Sequence, residues 1–317
     1  MGSTVDRRTF LGAIAAGCGA MAWESAWSST RPDGAGGGDF SLNYMVSSAM
    51  YGKLPLDQVL DEVPRCGARL IDIWPAVHAN HREQIEDMGL DKFSQLLETT
   101  GVGLGCITRY DLGPFRIHED FELARRFQCP RMVCGGAGPK GLHGSDLKSA
   151  VSEFLKRLQP TSAKAADQGL RLAIENHGNN LINTPDSLLW LVDEARKQKL
   201  PIGVALAPYH LETLGLDAPQ MARLIRELGD GLEVFYAWQH GMGCMNKLPR
   251  VQERLQLPGR GDLNFKPILD ALKAVQFKGV TSIFMHPVPR GIPIADGGAA
   301  SVTFLINQSR TYLGQLH

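Results

Sequence analysis

From Leu42 onward the chain alternates short apolar runs with longer stretches in which apolar residues recur every three to four positions. The runs at 42–46, 69–73, 103–107, 131–134, 170–174, 202–206, 234–238 and 280–285 have strand length and lean towards aliphatic residues, so each predicts a buried strand. The intervening stretches at 56–65, 82–99, 119–127, 147–168, 185–198, 219–228 and 265–275, with a last one at 300–313, carry the helical period.

A strand followed by a helix, repeated eight times, is the pattern of βα units around a parallel sheet. The fold class expected is therefore α/β, a single-domain (β/α)8 TIM barrel over residues 39–317, near the usual size of roughly 250 residues for that architecture. An open doubly wound sheet fits less well, because no GxGxxG opens a helix after the first strand.

Before residue 39 the pattern changes. Asp6-Arg7-Arg8-Thr9-Phe10-Leu11-Gly12 pairs two arginines ahead of an apolar stretch, and small residues follow at Ala20-Met21-Ala22. Residues 1–22 therefore resemble a twin-arginine export signal, and the apolar stretch is too short to span a bilayer. Residues 23–38, rich in Ser, Gly and Pro, are expected to form a flexible linker. The expected destination is periplasmic or otherwise extracytoplasmic, without stable membrane insertion after processing. Cys18 suggests a lipid-attachment site only faintly.

Charge narrows the function classes. Thirty-three basic residues balance thirty-three acidic ones, so no net field draws in nucleic acid. The six cysteines lack CxxC spacing and are expected to be mostly small core residues.

Candidate chemistry lies where the later strands end. Leu170–Ile174 runs into Glu175-Asn176-His177, the sixth strand is followed by Ala207-Pro208-Tyr209-His210, the seventh by Gln239-His240, and the eighth ends at His286. Parallel barrel strands bring such ends to one mouth, where carboxylate oxygen and imidazole nitrogen can meet around one divalent ion. Glu175, His210, Gln239 and His286 are the expected ligands; a nitrogen-rich set suits Mn, Co, Zn or Ni better than Mg. Glu175, His177 and His240 are the expected catalytic residues. Trp74, His78, Arg109, Trp238 and Arg290 are expected to bind substrate, the two tryptophans by stacking on a sugar ring. Gly135-Gly136-Ala137-Gly138 is a weak phosphate signal, which favours an unphosphorylated substrate.

On Ile174-Glu175-Asn176-His177, Pro208-Tyr209-His210-Leu211, Pro258-Gly259-Arg260-Gly261-Asp262 and His286-Pro287-Val288-Pro289-Arg290-Gly291, the chain resembles the xylose isomerase-like TIM barrels, the sugar phosphate isomerase/epimerase superfamily. That resemblance implies a Glu, Asp, His, Glu ligand set at the ends of strands five to eight. Here the Asp position falls on Ala207, and no Glu occurs between Thr281 and His286. The resemblance implies a metal-dependent isomerase or epimerase working through an enediolate on a free sugar or keto-sugar. The alternatives are a hydratase or lyase of 3-keto-glucal-type sugars and a non-catalytic sugar-binding barrel. A homodimer is possible on the same grounds.

Overall fold

A computed structural model describes residues 40–316. The expected signal and linker, with Cys18, lie outside the described residues.

Eight strands, β1 (Met45–Ser47), β2 (Leu70–Ile73), β3 (Gly103–Thr108), β4 (Arg131–Gly135), β5 (Arg171–Glu175), β6 (Ile202–Leu206), β7 (Leu232–Ala237) and β8 (Val280–Ile283), pair in sequence order. Every pairing between neighbouring strands is parallel. The ring closes where Tyr44 bridges Thr281 in parallel and the Thr281 amide donates to the Asn43 carbonyl at 2.8 Å. The (β/α)8 architecture expected from the alternating pattern is therefore observed.

The strands are buried almost throughout, as their aliphatic composition requires of a sheet covered on both faces. Helices wrap the outside, and local sequence sets their ends. Thr184 caps the helix Pro185–Lys197 in a reciprocal capping box with Ser187, and Asp217 does the same with Gln220 for Ala218–Leu228. The helix expected at 82–99 is broken at Gly89, whose φ of 82° no continuous helix adopts, into His81–Met88 and Leu90–Thr100. Three one-turn helices, Gly113–Arg116, Pro208–Glu212 and Arg250–Glu253, fall in loops too short for a periodic signal.

The glycines after β4 are explained by packing. A Cβ on Gly136 would stand 2.7 Å from the Ile182 side chain, and one on Gly135 would stand 2.9 Å from the Asn180 amide. They let the loop after β5 press against β4. Among the described residues all five cysteines are buried and free of disulfides, and no helix is long and apolar enough to cross a membrane.

Candidate active site

The loop after β2, the carboxyl ends of β5 to β8 and the loops beyond them line a cavity of about 580 Å³ at the barrel mouth. Its chemistry comes chiefly from His78, His177, His210, His286 and Arg290, with Tyr209 and Trp238 as an aromatic wall. Tyr209 and Trp238 stack on each other with ring centroids 4.0 Å apart.

Glu175 is the last residue of β5 and is 3 % exposed. Its Oε1 lies 3.8 Å from Nε2 of His210, on the one-turn helix after β6, and that nitrogen has no hydrogen-bond partner. Burial, reinforced by the nearby Asp72 carboxyl, pushes the Glu175 carboxyl well above the ordinary range. His177 and His210 are adjacent, with ring centroids 4.4 Å apart. Across the mouth His78 and His286 form a second pair at 4.5 Å. Desolvation lowers all four histidines, to about 4 for His78 and about 3 for His210, so each is a neutral imidazole at pH 7. Arg290 supplies the fixed positive charge; its guanidinium donates to the Pro287 carbonyl at 2.8 Å and to the Cys244 carbonyl at 2.9 Å.

The expected substrate-binding residues divide. His78, Trp238 and Arg290 line the cavity. Trp74 stands in the wall behind it, stacked on Phe284 and donating its indole N–H to Asp72 at 2.6 Å. Arg109 is turned away, bound to Asp111 and to Asp120, which also receives Arg82. Sequence position puts Arg109 just past β3, but these carboxylates fix its direction.

Of the expected ligands, Glu175 and His210 come together, 3.8 Å apart, but the four do not assemble as a set. Gln239 is fully buried against the 257–263 turn, its amide donating to the Leu257 carbonyl at 2.6 Å and accepting from the Leu263 amide at 2.9 Å. Both ends of that side chain are committed, which is why it does not reach the mouth. Ala207 offers no donor at the β6 position. His240, expected to be catalytic, also lies outside the cavity lining, beside Tyr209, its Nδ1 within 3.2 Å of the Gly241 carbonyl. Among the described residues no three His, Cys, Asp or Glu side chains assemble into a group able to hold a metal. The donors present therefore do not fit the four-ligand divalent site that the resemblance implies.

Two further groups bear on the site. Tyr209 lies inside the Pro208-Tyr209-His210 motif and was overshadowed by the histidine. Asp72, in the barrel interior, accepts from Thr108 at 2.8 Å and from Trp74, and burial raises its carboxyl to about 7. Its signal in the sequence is its place at the end of the second strand, close to Trp74.

A family model described as xylose isomerase-like TIM barrel matches residues 60–307. The chain belongs to that family. No curated protein matches the sequence significantly. Solved structures of like shape include IolI with a bound zinc atom, at 14 % identity, TM-score 0.67, covering 87 % of this chain and 99 % of that one. D-psicose 3-epimerase in the presence of D-fructose matches at 12 % identity and TM-score 0.63, covering 87 % of this chain and 99 % of that one. The probable 3-DHS dehydratase AsbF of petrobactin synthesis from Bacillus anthracis matches at 13 % identity and TM-score 0.61, covering 84 % and 97 %. At such identities the likeness carries the fold alone.

Proposed function

We propose that this xylose isomerase-like barrel is an enzyme that moves a proton next to the carbonyl of an unphosphorylated sugar or keto-sugar, as an isomerase or epimerase. One observation carries the reading: the neutral imidazoles of His177 and His210 line one end of a cavity large enough for a sugar, and the buried carboxyl of Glu175, itself outside the cavity lining, lies 3.8 Å behind His210. A neutral acid beside a neutral base is the arrangement that proton transfer at a carbonyl needs near pH 7.

Glu175, held towards its protonated form by burial, serves as the acid that hydrogen-bonds the carbonyl oxygen. His177 serves as the base. Its Nδ1 donates to the Gly178 carbonyl at 2.7 Å, which leaves the lone pair on Nε2. The C–H bond next to the carbonyl breaks, its proton passes to His177 Nε2, and the electron pair moves to the carbonyl oxygen as an enediolate forms, hydrogen-bonded by Glu175. Return of the proton to a carbon completes the isomerisation. Trp238 and Tyr209 offer the apolar face of a sugar a stacking surface, and Arg290 fixes a hydroxyl. No step is assigned to a metal ion, because the donors present do not make its site.

A second reading, hydration or elimination of a keto-sugar through the same enediolate, is favoured by the end of β8. The residues from Thr281 to His286 include no Glu, so the end of β8 offers no second carboxylate to handle the opposite proton. We further propose that residues 1–22 export the protein by the twin-arginine route, so that it meets free sugars outside the cytoplasm, where it acts as a monomer or homodimer.

The test is proton exchange in D2O, followed by NMR, for a panel of free ketoses, aldoses and 3-keto-glycosides, with the metal content of the same protein measured in parallel. Deuterium entering beside the carbonyl, abolished in His177→Gln, supports the proposal, and gain or loss of water in the product selects the second reading. Sugar binding without exchange in any member would leave a non-catalytic barrel. About one equivalent of bound metal, lost in Glu175→Ala, would overturn the assignment of the donors.

A further inference from the structure

We propose that the single Gly178 peptide fixes His177 and His210 in opposite tautomers, so that one presents a lone pair to the cavity and the other presents an N–H. The inference deepens the proton-transfer reading, on which its chemical consequence rests.

Both polar atoms of this residue are engaged by the pair. The Gly178 carbonyl lies 2.7 Å from Nδ1 of His177, and the Gly178 amide donates to Nδ1 of His210 at 3.2 Å. A carbonyl oxygen only accepts, so His177 carries its hydrogen on Nδ1 and leaves Nε2 bare. An amide N–H only donates, so Nδ1 of His210 is bare and its hydrogen sits on Nε2. A neutral ring has one hydrogen to place, and the peptide places each.

The consequence lies at the two Nε2 atoms. Nε2 of His210 is buried without a partner, 3.8 Å from Glu175 Oε1, and a buried N–H left unsatisfied is costly. A substrate oxygen entering this space satisfies it. The enediolate oxygen then takes a hydrogen bond from His210 and another from Glu175, while His177 holds the proton removed from carbon. Two donors aimed at developing negative charge supply the stabilisation usually given by an oxyanion hole. The same tautomer accounts for the misfit with a metal ion: a ligating histidine normally donates its other ring N–H to an acceptor, and Nδ1 of His210 faces a donor instead. Gly178 lies in the loop just beyond β5, so the strand that delivers Glu175 also delivers the peptide that sets both rings. A side chain in its place would meet His210 Nδ1 at 3.5 Å, an ordinary contact, so the device belongs to the backbone and does not depend on glycine.

Long-range 1H–15N correlation of the histidine rings in the whole, substrate-free protein at pH 7.5 tests this, with His177→Gln and His210→Gln used to assign the signals. His210 is expected with Nδ1 at the downfield, unprotonated position and Nε2 protonated, and His177 with the reverse. Identical tautomers in the two rings, the two assignments exchanged, or averaging of either ring between tautomers would overturn the proposal. Because no substrate is present, failure of every sugar to exchange would count against the proton-transfer reading alone and leave the tautomers as measured.

Discussion

At the scale of single residues, the site is built from groups whose burial suppresses their charge. Glu175 and Asp72 are carboxyls in the barrel interior, and desolvation holds each in its neutral form to higher pH than water would. Glu175→Gln replaces a neutral acid by a neutral amide of the same shape. The fold is therefore expected to melt at an unchanged or higher temperature at pH 7, while exchange at the substrate carbon falls by roughly 10²- to 10⁴-fold, the usual loss of a general acid. A lowered melting temperature at pH 7 would mean that Glu175 is ionised and paired. Asp72→Asn reads the second carboxyl. An aspartate with a folded value of about 7 and an unfolded value of about 3.9 contributes stability that is fully present below pH 3.9 and is lost as pH rises through 7. Asn keeps acceptors and donors for Thr108 and Trp74 but does not titrate. Its stability relative to wild type should rise between pH 4 and pH 7 and level off above, as thermal melts across that range would show; a constant difference would place the Asp72 value near that of water.

At the scale of elements, the loops beyond the strands decide which side chains reach the mouth. Gln239 follows β7 directly, yet its amide holds the 257–263 turn by two bonds to backbone. Gln239→Leu leaves a buried C=O and a buried N–H unpaired, each costing about 1–3 kcal/mol, so chemical denaturation should show a clear loss of stability with the sugar-binding constant unchanged. Unaltered stability with loss of a bound metal would instead make Gln239 a ligand. The same contrast explains how much of the site was legible. The eight strands were readable because buried parallel strands are aliphatic along their whole length, and Glu175 stood out as a carboxyl ending such a run. His78, His177, His210, His286, Trp238 and Arg290 do meet at one cavity, because their strand or near-strand positions set their direction. Arg109, Gln239 and His240 lie as close to strand ends, but loops aim them elsewhere, and the partners responsible, such as Asp120 and Leu263, are distant in sequence. The break at Gly89 was hidden because the hydrophobic period runs on through it.

At the scale of the whole molecule, the balance of buried groups predicts how the barrel responds to acid. His78, His81, His177, His210 and His286 are all depressed by burial, His78 and His81 to about 4 and His210 to about 3. Unfolded histidines take up protons near pH 6.5, so the contribution of these five is present above 6.5 and is lost as pH falls towards 4. Asp72, Glu175 and Glu212 are raised and act in the opposite sense over the same interval, losing stability as pH rises. Five against three leaves the histidines in control. Between pH 6.5 and 4 the unfolded chain binds on the order of one or two more protons than the folded one, which corresponds to a fall of roughly 1–3 kcal/mol per pH unit. Above pH 7 the histidines are neutral in both states, while the raised carboxyls and, towards pH 8.5, the raised buried thiols of Cys66, Cys106, Cys129 and Cys134 pull stability down, so the maximum should lie near pH 6.5–7. Urea midpoints at pH 5, 7 and 8.5 measure this directly, and a midpoint at pH 5 equal to or above that at pH 7 would show that the mouth histidines are not held neutral in the folded protein. With charged histidines, proton removal at carbon would lose its base, so this purely structural measurement also bears on the chemistry assigned to the mouth.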